Sequence, residues 1–311
     1  MNNNEISKDP RETSSPQEGR KQKGGVIHKL RHFLGLVRFS HTLFAMPFAL
    51  ASMLWAAKGW PGWRIFGLVI LCMVFCRNAA MAFNRLADAG IDAQNPRTIR
   101  RHLPSGILNR KEVLLFFAAN SILFVVTTVF INRLAFALSI PALIAVCFYS
   151  LTKRFTALSH LFLGLAIGIS PVGAWIAVRG SFGMEAILLC LSLLFWIAGF
   201  DIIYATQDQA FDSKAGLHSL VVRFGVARAL RISMLLHIAM LGCLITIEAL
   251  FHLGMPFRIA LGITTGLLAY LHLFRRSNSL DGLNQDFFQA NIAVSCVVFL
   301  GIAGAVFLPK L

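Results

Sequence analysis

The chain has 311 residues, of which 57% are hydrophobic and only 14% charged. Soluble globular proteins carry about 25% charged residues, so the composition excludes an ordinary soluble enzyme and points to a polytopic membrane protein. Lys and Arg total 29 against 14 Asp and Glu, a formal charge of +15; the bases lie in loops between apolar runs, which disfavours a nucleic-acid surface and suits positive-inside topology plus a site for an anionic substrate.

Residues 1–25 are polar, and no apolar signal region follows them, so they read as a disordered tail rather than a signal peptide. The remainder, 26–311, reads as one transmembrane domain. Ile27, Leu30, Phe33, Leu34 and Val37 recur at helical spacing among His28, Lys29, Arg31 and His32, the pattern of a basic amphipathic helix on a membrane surface. Crossing a bilayer takes about 20 apolar residues. On that basis nine spans follow, at roughly 40–57, 63–83, 112–131, 134–150, 159–178, 184–204, 229–250, 255–274 and 287–308. The expected fold is all-α and integral to the membrane. Short connections such as Asn132-Arg133 make antiparallel neighbours, and the long polar loops 84–111, 205–228 and 275–286 fall on the side of the basic tail. The positive-inside rule then places the N-terminus and these loops in the cytoplasm and the C-terminus outside. Pro47, Pro141 and Pro171 lie inside spans, where they are expected to kink helices around a cavity. The six cysteines all sit in apolar runs without a Cys-x-x-Cys pair and read as small buried hydrophobes.

Asn84, Asp88 and Asp92 close the second span at a spacing of four, which puts them on one helical face. Asp201, Tyr204, Asp208 and Asp212 close the sixth span in the same way, so the two motifs repeat with a period of four spans. Each half thus offers an acidic helix end to a shared central cavity. Carboxylates packed this closely repel, so something positive must sit between them. Mg²⁺ suits that task, because it takes one or two carboxylates and completes its shell with water and substrate phosphate. Arg97, Arg100 and Arg101 follow the first motif, and Tyr149 and Lys153 form another four-spaced pair at the end of the fourth span. Bases beside Mg²⁺ would stabilise charge developing on a departing diphosphate. Arg100, Arg110 and Arg154 read as topology signal and lipid-headgroup contacts. His41, His102, His160 and His218 match no compact metal motif. A transporter of an anionic lipid or solute is the competing class, and it calls for acids near mid-span rather than at helix ends.

Asn84-x3-Asp88-x3-Asp92, the run Arg97-Thr98 to Arg101-x-Leu103-Pro104-Ser105-Gly106, Tyr149-x3-Lys153-Arg154 and Tyr204-x3-Asp208-x3-Asp212 resemble the UbiA superfamily of intramembrane prenyltransferases. The resemblance covers about residues 28–308. Arg38-Phe39-Ser40-His41 and Gly199-Phe200-Asp201 are similar to its 4-hydroxybenzoate polyprenyltransferase branch, which includes relatives in futalosine-route menaquinone synthesis. The resemblance implies nine transmembrane helices around a cavity open sideways to lipid. It also implies Mg²⁺-dependent transfer of a polyprenyl group from its diphosphate to 4-hydroxybenzoate, or to 1,4-dihydroxy-6-naphthoate, in ubiquinone or menaquinone synthesis. By it, Asn84, Asp88, Asp92, Asp208 and Asp212 would hold Mg²⁺ and diphosphate. Arg97, Arg101 and Lys153 would contact the diphosphate, with Tyr149 and Tyr204 beside them, and Arg38 would face the acceptor carboxylate. Asp201 is a candidate to orient or deprotonate the acceptor phenol. One departure is Arg85, where many members carry a second acidic residue.

Overall fold

A computed structural model describes residues 32–33, 35–36, 45–274 and 280–308, apart from the side chains of 274 and 280–288. The polar tail, Arg38, His41 and most of the amphipathic stretch lie outside the described residues. The described elements are all helical: α1 (Met46–Ala57), α2 (Trp63–Gln94), α3 (Arg110–Val129), α4 (Arg133–Thr152), α5 (Ser159–Arg179), α6 (Met184–Ala205), α7 (Gln209–Lys214), α8 (Leu220–Phe224), α9 (Val226–Phe251), α10 (Met255–Ala269) and α11 (Leu280–Phe307). Eight of the described helical segments are long and apolar enough to cross a membrane, and α1 adds a shorter apolar helix. The fold is therefore that of an integral, multi-pass membrane protein. Side chains such as Leu115, Ile122, Ile144, Leu235 and Leu300 point outward, as a lipid-facing surface requires.

Several boundaries differ from the sequence expectation, each for a local reason. Pro47 starts α1 instead of kinking it, since the first turn of a helix needs no N–H from that position. Pro141 and Pro171 do lie within α4 and α5. Helix α2 runs past 83 to Gln94, so the first acidic motif is helical. It stops because Asn95 precedes Pro96, and a residue before proline is driven out of the α region; Asn95 has φ −93° and ψ 119°. Helix α6 ends at Ala205, and residues Thr206–Asp208 tighten into a 3₁₀ turn before α7. Thr206 Oγ1 donates to Ile203 O at 2.7 Å at that point, a side-chain bond that competes with the helical ladder. The tighter turn shifts the phase of Asp208 and Asp212 relative to Asp201 from that of an ideal α-helix, within one helical run from Met184 to Lys214. The last helix begins at Leu280 rather than 287.

The largest core joins α1, α6, α9, α10 and α11 through Phe48, Leu193, Trp196, Met240, Phe257 and Val298. Helix α1 is anchored to α5 where Ser52 Oγ donates to Pro171 O at 2.7 Å. The contact that matters most for the site is α5 on α6. Gly164 and Gly168 sit four apart on α5, and a Cβ at these positions would lie 2.4 Å from Leu194 O and 2.8 Å from Cys190 O. Only a hydrogen there lets the two backbones approach, the small-xxx-small device of membrane helix pairs. His160 is one turn before Gly164 on the same face, so this close packing presses it against α6.

Candidate active site

The ends of α2, α4, α5 and α6 enclose a cavity of about 310 Å³. Asn84, Asp88, Asp92, Arg97, Arg101, Tyr149, Lys153, Asp201, Tyr204, Asp208 and Asp212 all line it. The 3₁₀ turn in the second motif does not scatter its residues, because the helical run continues through it from Met184 to Lys214 and keeps Asp208 and Asp212 on the cavity.

The acids are spaced by cations. Buried Asp88 accepts from Lys153 Nζ at 2.7 Å, Asn84 Nδ2 at 3.2 Å and Arg154 Nη2 at 3.3 Å. Arg154 also donates to Ala87 O at 2.7 Å. This corrects the reading of Arg154 as a headgroup contact. Asp92 takes Arg101 Nη1 on both oxygens at 2.8 Å. Arg97 donates through Nε to Asp208 Oδ1 at 2.8 Å, makes a second, very short contact to Oδ2, and reaches Tyr204 Oη at 2.8 Å. The loop after α2 is thereby tied to the loop after α6. Burial works against the charge of Arg97, but the Asp208 hydrogen bonds and the field of Tyr204 and Asp208 outweigh it and hold the guanidinium above its ordinary pKa. Asn95, the residue that ends α2, also contributes. Its Nδ2 donates to Asp208 at 3.3 Å and its Oδ1 accepts the Arg97 N–H at 2.9 Å. The positive charge expected between the carboxylates is thus supplied, in this structure, by Lys and Arg.

Among the described residues no three His, Cys, Asp or Glu side chains converge into a metal cage. The donor chemistry nevertheless fits a hard cation: five carboxylates, Asp201 among them, and the Asn84 amide face one cavity, and oxygen donors of this kind suit Mg²⁺ bound partly through substrate phosphate.

Two features were not visible in the sequence. Arg77 sits halfway along α2, and its buried Nε has no hydrogen-bond partner among the described residues. It lines both the acidic cavity and a second, apolar chamber of about 430 Å³, and Met81, Tyr149, Leu163 and Ile167 are likewise shared. His160 is the other: its Nδ1 lies 2.7 Å from Asp201 Oδ2. A charged site opening into an apolar chamber fits a substrate that is half anion and half lipid.

The sequence profile of the UbiA prenyltransferase family matches residues 45–306. The chain belongs to the UbiA prenyltransferase family. A 4-hydroxybenzoate octaprenyltransferase of Nitrosomonas eutropha is 33% identical over 264 residues, covering 82% of this chain and 92% of that protein. The enzyme of the same name from Vibrio cholerae is 35% identical over 228 residues, covering 72% and 79%. Among solved structures, the apo form of a UbiA homologue from Aeropyrum pernix K1 superposes with a TM-score of 0.76 at 29% identity, covering 84% of this chain and 96% of that one. A UbiA homologue from Archaeoglobus fulgidus, solved with DMAPP and Mg²⁺, shares the fold with a TM-score of 0.65 at 20% identity, covering 84% and 98%. As a UbiA-family protein the chain is a prenyltransferase, and both motifs that resemble the family's lie inside the matched residues.

Proposed function

We propose that this chain transfers a polyprenyl group from polyprenyl diphosphate to the ring of an aromatic hydroxy acid of the 4-hydroxybenzoate type, in quinone biosynthesis. The observation that carries the reading is the single cavity where both acidic motifs, their cations and the mouth of an apolar chamber meet. The names of the relatives favour 4-hydroxybenzoate over the dihydroxynaphthoate. The acids lie at helix ends beside a lined cavity, not at mid-span, which disfavours a transporter.

Asn84, Asp88, Asp92, Asp208 and Asp212 would hold Mg²⁺ and diphosphate. Bound there, Mg²⁺ would neutralise charge on the leaving diphosphate. Lys153, Arg154, Arg101 and Arg97 are within reach of the same space, and each would exchange a carboxylate for a phosphate oxygen. Such preorganised cations stabilise the charge that develops as the allylic C–O bond breaks. Tyr149 lines both the charged cavity and the apolar chamber, where its ring would attract the allylic cation, while Tyr204 holds Arg97 in place. The apolar chamber would take the prenyl tail.

Arg38 was the sequence's choice for the acceptor carboxylate, and it lies outside the described residues. Arg77 is better supported: a guanidinium whose buried Nε has no partner among the described residues, between the diphosphate site and the chamber, suits a charge-assisted bond to a carboxylate. The active-site loops would face the cytoplasm, with the protein in the bacterial cytoplasmic or inner membrane. The test is to incubate purified protein with Mg²⁺, a polyprenyl diphosphate and each acceptor in turn, and weigh the products. Prenylated 4-hydroxybenzoate is expected. Product from the dihydroxynaphthoate alone would move the acceptor, and no prenylated product would refute the reaction.

A further inference from the structure

Asp88, Asp92 and Asp208 are each bound by at least one Lys or Arg. Asp201 is bound differently. It comes from the last turn of α6, and its Oδ2 meets His160 Nδ1 at 2.7 Å. The His160 side chain is 3% exposed and that of Asp201 29%, so the pair has a buried end and a cavity end. The buried His160 Nε2 has no hydrogen-bond partner among the described residues. A proton on Nε2 would leave a donor stranded in a dry helix interface, whereas a bare Nε2 strands only a weaker acceptor. The proton therefore belongs on Nδ1, which donates to Asp201. With Oδ2 tied down, the carboxylate presents its other oxygen to the cavity.

We propose that His160 is a positioning residue that sets Asp201 aside from the metal-binding acids and aims it at the hydroxyl of the aromatic acceptor. This rests on the transfer reaction proposed above. As the allylic carbon bonds to the ring carbon beside the hydroxyl, the C–O bond to diphosphate breaks and its electron pair leaves with diphosphate. The hydroxyl proton moves to Asp201. The substituted ring carbon then loses its proton to the medium, Asp201 returns its proton to the oxygen, and aromaticity is restored with one proton released overall. Close packing at Gly164 and Gly168 fixes His160, and through it the carboxylate.

The test compares His160→Leu, His160→Asn and His160→Gln in the full-length protein. Asn places an amide N–H near the position of Nδ1; Gln places it farther out, and Leu has none. For each variant, kcat and both KM values are measured, along with the relative rate on 3-fluoro-4-hydroxybenzoate, whose hydroxyl is more acidic. Binding of 4-hydroxybenzoate and of benzoate is measured by calorimetry. His160→Leu should lose about a hundredfold in kcat, keep its KM for prenyl diphosphate, gain relative activity on the fluorinated acceptor, and no longer favour 4-hydroxybenzoate over benzoate in binding. His160→Asn should recover most of the loss and His160→Gln less. A His160→Leu enzyme with wild-type kcat overturns the role, as does a loss confined to the diphosphate KM or one unchanged by the fluorinated acceptor. A His160→Leu variant that does not fold leaves the decision to His160→Asn against His160→Gln, and equal rates for those two overturn the role. A wild-type protein that neither binds nor prenylates any aromatic hydroxy acid overturns the reaction, and this role with it.

Discussion

Asp88, Asp92, Asp208 and Asp212 were legible because carboxylates at a spacing of four, at the ends of two apolar runs, are a pattern that chance seldom supplies. Arg77, Arg154 and His160 were not. A lone cation inside an apolar span has no periodic partner, and a basic pair after a span looks like topology signal; only contacts between distant helices give them meaning. The division of labour that results is testable residue by residue. Asp88→Ala and Asp208→Ala should abolish turnover at every acceptor concentration, because diphosphate would be neither held nor ionised. Arg77→Ala should instead raise the acceptor KM, with the KM for prenyl diphosphate unchanged. Losing a charge-assisted bond in a partly dry site costs about 2–4 kcal/mol, or roughly thirty- to several-hundred-fold. Arg77→Lys should recover only part of this, since a point charge cannot grip a carboxylate through two N–H groups. Initial rates with both substrates varied separately decide the matter: an Arg77→Ala effect seen only in the diphosphate dependence would place Arg77 on the other substrate.

At the scale of the element, hydropathy found the spans but not their polar extensions. Helix α2 continues for three turns beyond its apolar part, and the stop is dictated by Pro96 acting on Asn95, not by polarity. The sixth span tightens into a 3₁₀ turn where Thr206 bonds back to its own helix, a choice that periodicity alone does not reveal. The α5–α6 contact was also invisible as a contact, although its glycines are four apart in the sequence. It gives a stability prediction. Gly164→Val forces a branched side chain against the Leu194 carbonyl, and overpacking of this kind costs about 1–3 kcal/mol. Gly173→Ala on the same helix meets nothing within 4 Å. Thermal unfolding in detergent should show a clear drop for Gly164→Val, with loss of activity as His160 shifts, and little change for Gly173→Ala. Equal melting of the two variants would mean that α5 and α6 are not in close backbone contact.

For the whole molecule, hydropathy and motif spacing were enough to give a helical bundle and the meeting of two acidic helix ends, because a bilayer leaves few alternatives to such a bundle; of the nine spans expected, eight are long enough to cross among the described residues, and the first is the shorter helix α1. The orientation can be checked with cysteines placed in exposed loops of the bundle: Ser105 follows α2 and Ser181 follows α5. In intact cells an impermeant maleimide should label Ser181→Cys and spare Ser105→Cys; the opposite pattern would put the acidic cavity on the outer face. The central claim is that one cavity binds a metal–diphosphate pair and passes the prenyl group to an aromatic acid. Its most direct test is mass-spectrometric detection of prenylated 4-hydroxybenzoate from purified protein, first in chelator and then with Mg²⁺ restored. Product should be absent in chelator and return with Mg²⁺ in the wild type but not in Asp88→Ala. Full product formation in chelator, or from Asp88→Ala, would contradict it.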